Sequence, residues 1–147
     1  MIREIKSSDK QEFLSMANAF YASDAVLHPI PAQYHERTFN EAINSKIYLR
    51  ILIMEYEGKI AGYSTLSKQF STEAGGFCMW MEDIYVKPEF RGKGLGKELF
   101  SYVEENFKYL CRIRLEVEEE NTRAVKLYKA MGFEVLPYMQ MVKEITH

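Results

Sequence analysis

Cysteine is scarce in this sequence. Cys78 and Cys111 are the only two among 147 residues, too few for the disulfide framework of a small secreted domain. Neither belongs to a C-x-x-C pair or stands at ligand spacing from a histidine. Free thiols in a reducing cytoplasm are therefore expected, with no metal. Four prolines and eight glycines are too few for a disordered or collagen-like chain. No apolar run approaches the roughly 18 residues of a membrane helix. The opening Met1-Ile2-Arg3-Glu4-Ile5-Lys6 lacks the apolar centre of a signal peptide. A surplus of positive charge is also missing: 19 basic and 21 acidic side chains leave −2, which argues against a nucleic-acid partner. What remains is ordinary, 47% hydrophobic and 27% charged. The length suits one domain over residues 1–147 with a real core.

Periodicity then divides the chain. Residues 2–6 read as a short strand. Ser8 or Asp9 is placed to cap a helix to about Tyr21, with Phe13, Met16, Ala17 and Phe20 at helical spacing. His28-Pro29-Ile30-Pro31 interrupts regular structure, and a second helix is expected near 36–45. Leu49 to Tyr56, a turn at Glu57-Gly58-Lys59 and a strand over 60–67 form a hairpin. Gly75-Gly76 breaks the chain before a strand over 77–86. A helix follows with Leu95, Leu99, Tyr102, Val103 and Phe107 on one face, then a strand over 112–117. Asn121 is placed to cap a last helix and Gly132 to end it. Residues 133–145 are expected to supply two short final strands. The order implies an α/β fold: a mixed, mostly antiparallel sheet of about seven strands flanked by about four helices, with one parallel crossover.

The densest local signal is Arg91-Gly92-Lys93-Gly94-Leu95-Gly96, between a strand and a helix. Its glycines let backbone N–H groups approach a ligand, and the helix N-terminus adds unpaired donors with partial positive charge. Arg91 and Lys93 add full charges. Together they suit a phosphate or pyrophosphate. Spacing excludes two common phosphate loops. A Walker loop needs Gly at position 91 and Ser or Thr at 98, which are Arg91 and Glu98. A dinucleotide fingerprint counted from Gly92 would put its third glycine at Lys97.

The loop matches the R-x-x-G-x-G pattern of the GNAT family of N-acetyltransferases. The stretch before it, from Glu82 through Phe90, looks like that family's fourth strand and its exit. Asn121-Thr122-Arg123-Ala124-Val125-Lys126-Leu127-Tyr128-Lys129-Ala130-Met131-Gly132-Phe133 resembles the family's N-x-x-A-x-x-L-Y-x-x-x-G-F segment. The resemblance is strong from residue 77 to about 135; the N-terminal half agrees only in its pattern of elements. Trp80-Met81-Glu82-Asp83-Ile84-Tyr85-Val86 is similar, over a shorter stretch, to the diamine and thialysine acetyltransferase branch.

The resemblance implies an acetyl-CoA-dependent enzyme that moves an acetyl group to a primary amine by direct attack in a ternary complex. It implies acetyl-CoA in a V-shaped opening between the fourth and fifth strands. Ile84, Tyr85 and Val86 would pair through their backbone with the pantetheine arm. Arg91, Gly92, Lys93, Gly94, Leu95 and Gly96, with Lys97 alongside, would hold the pyrophosphate. A strand bulge, assigned here to Ile84, would aim an N–H at the thioester carbonyl. Asn121 and Ala124 would contact the coenzyme arm. Glu82 would take the proton of the amine, directly or through a water, and Tyr128 would protonate the leaving thiolate. A solvated strand carboxylate and a core aromatic are the plainer readings of those two residues. Asp83 is expected on the opposite face from Glu82 if the strand is regular. The segment from Tyr21 to Glu36 would build the acceptor pocket, with Asp24, Tyr34 and Glu36 as candidates. His28 and His35 read as structural. The acceptor is expected to be a small amine; a protein acceptor and a noncatalytic acyl-CoA sensor are the alternatives. The family leaves room for a homodimer built on residues 133–145.

Overall fold

Two runs of β-branched and aromatic residues meet at Glu57-Gly58, and both of these turn residues have positive φ, 50° and 77°. That is the condition for a tight hairpin whose twist matches its strands. In this computed structural model, which describes residues 1–145, the hairpin joins β2 (Leu49–Tyr56) to β3 (Lys59–Ser71). β1 (Ile2–Glu4), β4 (Gly76–Val86) and β5 (Arg112–Leu115) complete one sheet in the order β1-β2-β3-β4-β5. Every pairing is antiparallel except β4 with β5. Two compact units divide the chain, Met1–Glu116 and Val117–His147.

In the first unit the alternation of β2 sorts side chains to two faces. Ile51 and Ile53 join a cluster with Phe13, Phe20 and Phe39 from α1 (Lys10–Tyr21) and α2 (Ala32–Asn44), and with Tyr63 of β3. The Phe13 and Tyr63 rings meet edge-on at 5.1 Å. Leu52 and Met54 point the other way and are fully buried. So are the inward residues Leu95, Leu99 and Val103 of α3 (Leu95–Asn106). Burying each such aliphatic or aromatic side chain stabilises by about 1.5–3 kcal/mol.

Asp9 stands just before α1, but its carboxylate accepts from Arg3 and from the Lys6 N–H rather than from the helix. The second helix begins at Ala32, earlier than the pattern suggested, because Pro31 directly before it already has φ −55°.

In the second unit the Asn121 carboxamide oxygen accepts from the Ala124 N–H at 3.3 Å and caps α4 (Thr122–Ala130). Gly132 leaves the helix with φ 95°. The two final strands expected over 133–145 are not formed, so the described residues hold five strands and not about seven. Strand composition is present there, yet a strand also needs a ladder partner, and Pro137 removes one donor. Val135, Met139, Met141 and Val142 are exposed instead.

Candidate active site

β4 outruns its neighbour. The β4–β5 ladder covers Cys78 to Met81 against Arg112 to Leu115 and stops there, while β4 continues to Val86. Beyond Met81 the β5-side edge of β4 is open. Direction of the backbone follows from contacts on the other edge. Asp83 N–H donates to Thr65 Oγ1 at 3.1 Å, the Asp83 carbonyl accepts from Ser64 Oγ at 2.7 Å, and Lys87 N–H donates to the Ala61 carbonyl. Residues 83, 85 and 87 therefore turn their backbone groups to β3. By alternation, those of Ile84 and Val86 face the opening.

Register locates the bulge. Leu66 pairs with Met81 and Thr65 pairs with Asp83, so Glu82 is the extra residue on β4. The sequence assigns the bulge to Ile84; it lies two residues earlier, at Glu82. The expectation for Asp83 holds for a regular strand, and β4 is not regular here. Glu82 Oε1 accepts from Ser67 Oγ at 2.9 Å, and Asp83 accepts from Tyr21 at 2.8 Å and Tyr63 at 3.3 Å. Thr65, the register partner of Asp83, and Ser67 lie two residues apart on β3 and share a face. A bulge carries both carboxylates to that face, where a regular strand would separate them.

The two carboxylates differ in setting. Glu82 is exposed, whereas Asp83 is 7% exposed. Burial pushes the Asp83 carboxyl above its usual range. Hydrogen bonds from Tyr21, Thr65 and Tyr63 oppose this, and the nearby Glu82 charge adds to it. Burial and the Asp83 charge raise both phenols in turn, so Tyr21 and Tyr63 keep their protons and donate them. His35 is buried with its ring 5.2 Å from Tyr21, and burial lowers its pKa.

The loop after β4 is built by backbone geometry. A 3-10 turn at Pro88–Phe90 leads into Arg91, whose Nε donates to the Val86 carbonyl at 3.0 Å. Gly92 and Gly94 have φ of 78° and 81°, in the left-handed region that disfavours a side chain, and a Cβ at either would meet no atom within 4 Å. Gly94 starts α3, and Leu95 turns its side chain into the core. Lys93 Nζ stands 5.8 Å from the Tyr56 ring. The helix N-terminus, Arg91, Lys93 and Lys97 thus form an exposed cationic rim beside open backbone donors.

In the second unit Tyr128 lies on α4 with its ring 5.9 Å from Phe133, and burial raises the pKa of its phenol. Asn121 and Ala124 meet in the helix cap just described.

Several side chains of this region were not singled out by the sequence reading. Tyr63 and Arg114 carry no motif that sets them apart in the sequence, and Tyr21 enters there only as the end of a helix and the start of the acceptor-pocket segment. Of the acceptor-pocket candidates, Glu36 pairs with Lys10 at 2.9 Å and Tyr34 lies under Arg37 at 5.1 Å; Asp24 is exposed. Among the described residues no group of three or more His, Cys, Asp or Glu could hold a metal ion. No helix among them is long and apolar enough to cross a membrane.

Comparison with known proteins places this geometry. A thialysine N-epsilon-acetyltransferase of Bos taurus is 41% identical over 75 residues, 50% of this chain and 44% of that protein. A spermine/spermidine N(1)-acetyltransferase of Bacillus subtilis (strain 168) is 27% identical over 92 residues, 59% of this chain and 60% of that protein. The matched stretch thus spans about half the length of these relatives. A solved structure of AAC(6')-Iy in complex with the bisubstrate analog CoA-S-monomethyl-acetylneamine superposes with a TM-score of 0.81. It shares 19% identity and covers 99% of this chain and 98% of its own, which shows a common fold. The sequence model described as the acetyltransferase (GNAT) family matches residues 12–133. With the end of the β4–β5 ladder, the bulge and the glycine loop all inside that match, this chain belongs to the GNAT family of acetyltransferases.

Proposed function

We propose that this chain transfers an acetyl group from acetyl-CoA to the primary amine of a small-molecule acceptor, by direct attack within a ternary complex. The observation that carries this reading is the departure of β4 from β5 after Met81, with the glycine loop opening α3 at the same end of β4. Relatives that acetylate thialysine or spermine and spermidine support a small amine as acceptor. Because the family match crosses the boundary after Glu116, both units are assigned to one transferase domain. Its proposed setting is the reducing cytoplasm, where Cys78 and Cys111 stay free thiols.

The residues present fit acetyl-CoA. Ile84 and Val86 offer backbone groups to an extended arm, with Tyr85 between them. Residues 91–96 and Lys97 offer backbone donors and positive charge to a pyrophosphate. Asn121 and Ala124 are assigned to the coenzyme arm by family position. Acetyl-CoA supplies an activated thioester. An amine of pKa near 10 is mostly ammonium at neutral pH, so Glu82 removes a proton, directly or through a water. The amine nitrogen would then bond to the carbonyl carbon and lose its remaining surplus proton to water as the carbon–sulfur bond breaks. A backbone N–H on the open edge of β4 beside the bulge would stabilise the charge that grows on the carbonyl oxygen. Tyr128 returns a proton to the sulfur; its raised pKa keeps that proton in place across neutral pH.

The test is release of coenzyme thiol from acetyl-CoA against polyamines, amino acids, aminoglycosides and short peptides. Release with one class of small amine is expected. Release with peptides alone would replace the small acceptor by a protein. No release with any amine would overturn the enzymatic reading.

A further inference from the structure

Beside Glu82 lies a strip of sheet face that the proposed chemistry does not use. Trp80 is the register partner of Ser67 on one side and of Arg114 on the other. Its indole N–H donates to Gln69 Oε1 at 2.9 Å, which fixes the plane of the ring. The Arg114 guanidinium lies over that ring, 4.3 Å from its centroid. Ser67 in turn holds Glu82 at 2.9 Å. Arg114, Trp80, Ser67 and Glu82 therefore share one face of the first unit.

Arg114 differs from the other arginines of this sheet. Arg3 pairs with Asp9 at 2.8 Å, Arg50 with Glu4 at 2.6 Å and Arg112 with Glu73 at 2.7 Å. Among the described residues Arg114 has no carboxylate within ion-pair distance; it stacks on the Trp80 indole instead. Stacking orients a guanidinium and leaves its edge donors free, and that planar fork matches a carboxylate two bonds at a time. The side chain is only half-buried, so a ligand can reach it.

Resting on the acetyltransferase reading above, we propose that Arg114 receives a carboxylate of the acceptor, which makes the acceptor an amino acid acetylated on its side-chain amine. Spacing supports this. Two residues along β4 and one strand across put the Cα atoms of Glu82 and Arg114 roughly 8 Å apart. An extended lysine-like chain holds its amine about 7 Å from its carboxylate. One guanidinium matches one negative charge, and the neighbouring Arg112 is already engaged by Glu73. A dianionic phosphate would be left half-neutralised.

The test is steady-state kinetics of the full chain with L-lysine, thialysine, lysinamide and cadaverine. Lysinamide keeps the amine and the shape but lacks the carboxylate. Wild type is expected to favour lysine and thialysine over lysinamide by about 10–100-fold in kcat/KM, mostly through KM. Arg114→Met should bring that ratio near unity, and Arg114→Lys, which keeps charge without the fork, should restore part of it. Equal use of lysine and lysinamide by wild type overturns the proposal. So does an Arg114→Met variant that weakens all four acceptors alike. If wild type acetylates cadaverine or lysinamide but not lysine, this inference alone fails. If it acetylates no amine, the acetyltransferase reading fails first and takes this one with it.

Discussion

In the proposed mechanism Tyr128 and Glu82 divide two proton transfers, and the Tyr128 step is testable alone. Tyr128→Phe keeps the ring and its contact with Phe133 but removes the transferable proton. A positioned acid or base is typically worth about 10²–10⁴-fold. Turnover is expected to fall by that factor while the dissociation constant for acetyl-CoA, read by calorimetry, holds within a few-fold. Unchanged turnover would remove Tyr128 from the mechanism. Its place on α4 was legible because a motif of fixed spacing carries it. The orientation of Asp83 is opposite to that of Glu82 only on a regular strand; the extra residue at Glu82 exists in the register with β3, and no local signal carries it.

At the scale of elements, the β3–β4 pair holds the site together, and Gly62 sets how closely the two strands approach. A Cβ at Gly62 would lie 2.2 Å from the Tyr85 carbonyl oxygen, a distance real atoms do not reach. Gly62→Ala must push β4 away from β3 beside Ile84 and Val86. We expect a loss of about 2–3 kcal/mol in stability, measured by chemical denaturation, together with weaker acetyl-CoA binding. Retention of both would mean that this end of β4 adapts freely. The hairpin turn, the caps of α4 and the glycine loop were all legible, since each depends on φ values or hydrogen bonds within a few residues. Residues 133–145 show the opposite case, in which β composition alone does not make a strand.

For the whole molecule, two buried titratable groups oppose each other in pH. The Asp83 carboxyl is raised in the fold, so the folded chain binds that proton more tightly than the unfolded chain. Stability from this group is present below the unfolded value, about 3.9, and declines as pH rises through the folded value. His35 is lowered in the fold, so its contribution is present above about 6.5 and declines as pH falls through the folded value. Asp83→Asn should therefore raise the melting temperature at pH 7.5 by about 2–4 °C, the response to roughly 1 kcal/mol in a chain this size. That gain should vanish near pH 4, as a scan across pH would show. A loss at pH 7.5 would mean that the ionised carboxylate is worth more to Tyr21 and Tyr63 than its burial costs.

Sequence by itself determined, to within a few residues at their ends, which segments become helices and strands through Ala130, where the glycine-rich loop lies and which family the chain resembles. These follow from periodicity, from glycines that accept positive φ and from motifs read over a dozen residues. Tertiary structure alone decided three things. The bulge at Glu82 exists only relative to the register of β3. The open edge at Ile84 and Val86 exists because β5 ends where it does. Arg114 stacks on Trp80 because a parallel ladder aligns residues 34 positions apart. Each is a property of pairing between distant strands, and local spacing carries no record of which partner a strand will meet.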